Sequence, residues 1–397
     1  MHVKTMLAAL RGVTAYKDLL TQPVMDAALR LLTCAAQGDG LGGLEAYTDL
    51  FYQLRAERKP GLGHWLGEAL RWSESPYPML AERGDMDPAL EQAAKLDISA
   101  FELLASVDCD RWLSHLGKLL DSDYQGVLTG LPRWQRGVPF SFEGLTAAYR
   151  KEGAGRFARF RAFVWESGRL IPVEHPDCPA SEQLLGYDGQ RAEVERNTRA
   201  LVEGRYVNNV LLYGESGTGK SATVKHLLTL PGMEELRLIE ADKADLGGLP
   251  ALIRGLDGRR QKFIVFIDDL TFDRDDATYS VLKTILEGGV ERRPQNVAVY
   301  ATSNRRHLVR QTISERAGDE MDRSETIREK TSLADRFGVR VLFQGLGKGE
   351  FLALVDKLAA QRGLDLPQEE LHSRAVAWER FHGAQTPRTA QQFILSL

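Results

Sequence analysis

Apolar positions recur at three- and four-residue intervals through the first 155 residues, as in Leu19, Leu20, Val24, Ala27 and Leu31. They recur again in Leu103, Leu104, Val107, Trp112, Leu116 and Leu119. That spacing lines one face of a helix, so residues 1–155 are predicted to form a mostly helical domain. Near residue 155 the period changes. FARFRAFVWESGRLIPVEHPD alternates around Ser167-Gly168, the pattern of a short hairpin. Pro172, Pro176 and Pro179 then mark a linker, because proline removes a backbone donor, and 156–180 reads as hairpin plus linker. From 181 the chain alternates short apolar runs with helical patterns. The runs are VLLY (210–213), LRLIE (236–240), FIVFI (263–267), VAVYAT (297–302) and VRVLF (339–343). Helices are expected around 220–230, 245–256, 277–289 and 306–333. Continuous apolar strands separated by helices predict a five-stranded, mainly parallel sheet between helices over 181–345, an α/β core. Beyond 346 the strands stop. Helical segments at 349–362, 368–382 and 387–397 predict a helical lid, the last capped by Thr386 with Pro387 at its first position.

Composition narrows the classes. The chain has 397 residues, 43% apolar and 27% charged, with a net charge of -4, as in soluble globular proteins of more than one domain. The near balance excludes a basic nucleic-acid coat and a polyacidic tail. Cys34, Cys109 and Cys178 are odd in number and far apart, which fits neither a disulfide framework nor a metal knuckle and points to a reduced, cytoplasmic setting. No uncharged run approaches the ~20 apolar residues of a membrane span, so no membrane partner is expected. In the helical half, His64 and His115 have no partners at ligand spacing, and Trp65, Trp72, Trp112 and Trp134 read as core packing. Arg150, Lys151, Arg156, Arg159, Arg161 and Arg169 form a basic stretch that reads either as a solvated face or as a phosphate-backbone contact surface.

The strongest chemistry lies in GESGTGKS, Gly214 to Ser221, which fits G-x-x-x-x-G-K-[ST] with a strand before it and a helix after it. Gly214, Gly217 and Gly219 let the backbone turn tightly around an anion. Backbone N–H groups of Ser216, Gly217, Thr218, Gly219, Lys220, Ser221 and Ala222 are the expected phosphate donors, aided by the helix start. Lys220 brings positive charge to the β- and γ-phosphates, and the Ser221 hydroxyl is suited to ligate Mg²⁺.

KFIVFIDDL places Asp268 and Asp269 at the C-terminal end of a buried strand, where open α/β sheets bind ligands. Two carboxylates there are costly to desolvate and call for a cation or solvent. Asp268 is suited to hold Mg²⁺ through its water shell, and Asp269 to orient or deprotonate the attacking water. The neighbouring strand ends in ATSN, so Thr302, Ser303 and Asn304 can reach the same region, and the Asn304 amide suits both phosphate and water. In DRFGVRVLF, Arg336 precedes the last strand, where it can enter a neighbouring subunit's site or form a surface salt bridge. Arg388 opens the final helix and either closes onto the γ-phosphate from the lid or lies on the helix surface.

These elements, in this order, resemble the AAA+ superfamily over about 181–397. GYDGQRAEVERNT, NNVLLYGESGTGKSATVKHLL, LRLIEADKADL, KFIVFIDDLTF, LKTILEGG, RRPQNVAVYATSNRRHL and SLADRFG are similar to the bacterial AAA+ family catalogued as domain of unknown function 815. The resemblance implies ATP as the nucleotide, adenine near Gly186 and Tyr187, and a subunit-interface active site in a homo-oligomeric ring or spiral. Two departures matter. The usual Asp-Glu pair is here Asp268-Asp269, one methylene shorter, and ADKADLGGLPAL lacks the aromatic–aliphatic–glycine loop with which many unfoldase rings grip polypeptide. The leading expectation is an Mg²⁺-dependent ATPase that oligomerises and remodels or loads a partner macromolecule, an unknown protein with nucleic acid also possible. Two alternatives stand beside it: an ATP-gated binding module with little turnover, motivated by Asp269, and a nucleic-acid loader, motivated by the basic stretch and the loader-like RRHL at 305–308.

Overall fold

In the computed structural model, residues 2–85, 87–271, 277–287, 293–304 and 333–397 are described. They fall into two units, Met1–Arg159 and Phe160–Leu397. The expected helix at 306–333, apart from Leu333, and the RRHL segment lie outside the described residues.

In the first unit the apolar stripes do form helices, among them Val3–Arg11, Pro23–Gln37, Gly40–Ala56, Pro88–Ala105 and Phe142–Glu152. Their starts follow local chemistry. Asp39 caps Gly40–Ala56 by accepting from the Gly42 N–H at 2.9 Å, and Asp87 caps Pro88–Ala105 with proline at its first position. Trp65, Trp112 and Trp134 are buried as core residues, whereas Trp72 is half-buried with the Arg71 guanidinium 4.3 Å over its ring. Leu103 departs from its expected stripe: it is exposed on the outer face while its neighbour Leu104 is fully buried.

One polar group organises this core. Asp97, 3% exposed, accepts backbone N–H bonds from Thr14 at 3.0 Å, Ala15 at 2.7 Å and Tyr16 at 3.1 Å. Burial pushes its carboxyl above the usual range, and those N–H groups pull it back down. Asp97→Ala would leave three donors without their acceptor, so we expect a loss of about 3 kcal/mol, read as an earlier transition in denaturant unfolding of the full chain followed by tryptophan fluorescence.

The second unit is built on a seven-stranded sheet: β1 Ala162–Glu166, β2 Arg169–Val173, β3 Val210–Gly214, β4 Leu236–Ala241, β5 Lys262–Ile267, β6 Val297–Ser303 and β7 Val339–Phe343. Their order is β2-β1-β4-β5-β6-β3-β7, with only β2 antiparallel to its neighbour. Five strands were expected, and the two extra ones are the hairpin. It is not a detached element before a linker, because β1 pairs in parallel with β4 from Ala162↔Leu238 to Trp165↔Ala241. Ser167 at φ 50 and Gly168 at φ 74 make a two-residue turn of the type that matches strand twist. Pro172 pairs with Phe163, a position whose N–H would face away from β1, so the edge strand loses no ladder bond there.

The interior strands β5 and β6 are almost wholly buried. Phe266 and Tyr300 are fully buried, each such side chain contributing roughly 1.5–3 kcal/mol of burial free energy. The lid helices Lys348–Arg362, Gln368–His382 and Pro387–Ser396 pack on a core of their own that includes Phe351, Val355, Ala375 and Phe393. Leu185, from the segment before β3, belongs to that lid core. Thr386 caps the last helix by accepting from the Thr389 N–H at 3.3 Å. The architecture is an α/β core on a mainly parallel sheet with a helical lid.

Candidate active site

Because β3, β5 and β6 are parallel and β6 lies between the other two, their C-terminal ends open on one edge of the sheet. The chain leaves β3 to build β4, β5 and β6 on one side of it and β7 on the other. The loop after β3 therefore sits at the switch point where such sheets bind ligands.

That loop is held from two sides. Gly214 ends β3 at φ 134, and a Cβ there would run into the Phe343 carbonyl of β7, so the strand approach requires glycine. The Glu215 N–H then donates to the same carbonyl at 3.0 Å. At Gly217, φ 80, a Cβ would lie 3.0 Å from Thr386 Oγ1 and 3.1 Å from the Arg388 Cβ. The Arg388 N–H donates to the Gly217 carbonyl at 3.2 Å, which ties the phosphate loop to the start of the last lid helix. Thr218, 2% exposed, fixes the tip by donating to the Glu215 carbonyl at 2.8 Å.

Lys220 opens the helix Lys220–His226 and is 5% exposed. Its ammonium donates to the carbonyls of Gly214 at 3.1 Å and Glu215 at 2.6 Å, and to Asn304 Oδ1 at 2.9 Å. Burial pushes its pKa down, Asp269 and Asp268 push it up, and Arg388 opposes them. The Ser221 hydroxyl donates to Asp268 Oδ1 at 2.6 Å, and Thr302 Oγ1 donates to the same oxygen. Asp269 sits at φ 47, and its N–H donates to Thr302 Oγ1 at 2.9 Å. Asn304 Nδ2 donates to Asp269 Oδ1 at 2.8 Å. Asn304 thus bridges the lysine and the second aspartate.

Residues 216–222, Asp268, Asp269, Asn304 and Arg388 line one cleft of about 370 Å³. Gly214 lies just outside its lining and contributes a carbonyl to Lys220. Gly186 and Tyr187 do not line it. Both adopt left-handed backbone, at φ 68 and φ 59, which turns the Tyr187 ring onto Phe343 at 5.1 Å and its hydroxyl onto the Gln344 carbonyl. Gln183, Leu184, Leu185 and Arg191, close to that pair in sequence, do line it. Arg336 lies in the turn before β7, half-buried, with its N–H donating to the Leu333 carbonyl at 3.2 Å, and is not among the residues lining this cleft. Gln391 lines the cleft without having been singled out from the sequence, and Thr302, expected with Ser303 and Asn304 to reach this region, lines it too. Gln391 had a signal, since it follows Arg388 by three residues on the same helix and shares its face.

The donors fit Mg²⁺ and a triphosphate. Ser221 Oγ and Asp268 Oδ1, 2.6 Å apart, are hard oxygen ligands of the kind Mg²⁺ takes, and Lys220 beside a run of loop amides suits phosphate oxygens. Among the described residues, no group of three or more His, Cys, Asp or Glu side chains is placed to hold a metal by itself. A metal here would need ligands from serine, water and phosphate.

The basic stretch is partly committed elsewhere. Arg156 is paired with Glu74 at 2.6 Å, and the half-buried Arg161 donates to the Met233 carbonyl at 2.6 Å. Among the described residues no helix is long and apolar enough to cross a membrane.

Among solved structures, a variant of RuvB from Thermotoga maritima is 15% identical, with 53% of this chain and 61% of that one covered at a TM-score of 0.35. The RuvB Holliday junction branch migration motor of the same organism is 13% identical, with 55% and 72% covered at a TM-score of 0.31. The chain thus spans about three-fifths of the first RuvB chain. No curated protein matches it. Residues 158–397, more than half of the sequence, match the family described as Protein of unknown function (DUF815), and the chain belongs to that family.

Proposed function

We propose that the cleft binds Mg²⁺–ATP and hydrolyses it to ADP and phosphate, and that the chain works as a homo-oligomer acting on a protein partner in the cytoplasm. The reading rests above all on the continuous chain of contacts from Ser221 through Asp268 to Asp269, Asn304 and Lys220 at one sheet edge. Loop amides of residues 216–222 hold the phosphates, and Lys220 neutralises charge that develops on the transferred phosphoryl group. Mg²⁺, held by Ser221 and, through water, by Asp268, supplies further neutralisation when bound. Asp269 accepts a hydrogen bond from the attacking water and takes its proton. Asn304 steadies that carboxylate and presents its amide to the phosphate and the water. Arg388, already attached to the loop through its backbone N–H, brings the lid's charge to the same cleft. Arg336 acts from a neighbouring subunit.

Asp269→Asn retains the Asn304 contact and removes only the base. We expect ATP affinity within about threefold of wild type and phosphate release slowed at least about a hundredfold. Equal loss of binding and turnover would contradict the assignment of Asp269 to water activation. A slow, switch-like ATPase is the second reading, favoured by the shorter Asp269 side chain and its engagement by Asn304. Steady-state phosphate release by the wild-type chain, with Mg²⁺ and with EDTA, tests the proposal and separates the two rates.

A further inference from the structure

We propose that Thr302 is a positioning residue for the reaction, holding both aspartates in register through one buried hydroxyl. The inference rests on the ATPase reading above and assigns to this side chain a role distinct from phosphate contact.

The register explains its place. Ile267, the last residue of β5, pairs with Ala301 of β6, so Thr302 stands beside Asp268, one step past the end of the strand. Thr302 is 2% exposed. Its hydroxyl donates to Asp268 Oδ1 and accepts the Asp269 N–H at 2.9 Å. Its carbonyl accepts the Leu270 N–H at 2.7 Å. Three consecutive residues after β5 are therefore fastened to one threonine.

That fastening has something to oppose. Asp269 is a non-glycine residue at φ 47, a left-handed conformation that a residue with a Cβ adopts only at a cost. Without its partner, the Asp269 N–H keeps only the longer contact to the adjacent Asp268 Oδ1 at 3.1 Å. Relaxation toward ordinary backbone would swing the Asp269 carboxylate away from Asn304 Nδ2. The hydroxyl proton also fixes which Asp268 oxygen faces Ser221, since both hydroxyls converge on Oδ1 and leave Oδ2 for other partners. Serine keeps this hydroxyl; valine keeps the shape and loses both bonds.

The experiment compares wild type, Thr302→Val, Thr302→Ala and Thr302→Ser in the full chain. Affinity for a fluorescent ATP analogue is measured with Mg²⁺ and with EDTA, and kcat and KM for phosphate release are measured separately. For Thr302→Val we expect nucleotide affinity within about threefold and kcat lowered about 10- to 100-fold, the loss that a small misplacement of a reacting group brings. Thr302→Ser should return most of the rate, and Thr302→Ala should follow valine; alanine carries the test if the valine chain does not fold. The Mg²⁺-dependent gain in analogue affinity should shrink in Thr302→Val, as Asp268 loses its fixed orientation. A kcat in Thr302→Val or Thr302→Ala equal to wild type, or a serine variant as slow as alanine, would overturn the role. A wild-type chain that neither binds the analogue nor releases phosphate would instead overturn the ATPase reading itself.

Discussion

Lys220→Ala is expected to weaken ATP binding by at least about a hundredfold while leaving the chain folded. The ammonium makes three hydrogen bonds, to two loop carbonyls and to Asn304, in a site where it is 5% exposed. Its positive charge also faces Asp268 and Asp269. Alanine removes the cation and leaves a polyanionic nucleotide opposite two carboxylates. Losing a charge-assisted bond of about 2–3 kcal/mol corresponds to roughly 30- to 150-fold in affinity, and the uncompensated carboxylates add to that. Alanine is a better helix former than lysine at the start of Lys220–His226, so the fold is not expected to suffer. Titration of a fluorescent ATP analogue in Mg²⁺ reads the effect, and an affinity equal to wild type would mean the phosphates lie elsewhere.

Arg336→Ala carries the second large effect. Arg336 is not among the residues lining its own chain's cleft, so a catalytic part for it requires a second subunit. Phe337, 1% exposed, anchors the turn, and Asp335 is paired with Arg340 at 2.7 Å. We expect nucleotide affinity close to wild type and phosphate release slowed about a thousandfold, the scale of a charge-stabilising arginine supplied between subunits. Mixing with Lys220→Ala chains should restore part of the rate. At a mixed interface the intact Arg336 of the Lys220→Ala subunit meets the intact phosphate loop of the Arg336→Ala subunit. Wild-type turnover by Arg336→Ala alone would remove the arginine from the mechanism.

β5 and β6 were readable because burial on both faces makes each a continuous apolar run, and the phosphate loop because its glycines, lysine and serine stand in one octapeptide. What local pattern could not carry was partnership across long separations. The hairpin was visible from its alternation and Ser167-Gly168 turn, but its parallel pairing with β4, over seventy residues on, left no local mark. Arg156 read as part of a basic stretch because its partner, Glu74, lies 82 residues earlier. The contacts of Gly186 and Tyr187 were hidden for a similar reason. The left-handed pair Gly186-Tyr187 sends the tyrosine to Phe343, and only the folded register of β7 reveals that contact. Thr302 stood in the sequence as one of three polar residues at the end of β6, and the alignment of Ile267 with Ala301 is what puts it beside Asp268.

The most direct measurement is a crystal structure of the chain with Mg²⁺ and a non-hydrolysable ATP analogue. The account predicts the β- and γ-phosphates against the amides of residues 216–222, with Lys220 turned from Asn304 onto phosphate and the metal beside Ser221 and Asp268. A nucleotide seated away from that loop, or a metal with Ser221 outside its coordination sphere, would contradict it.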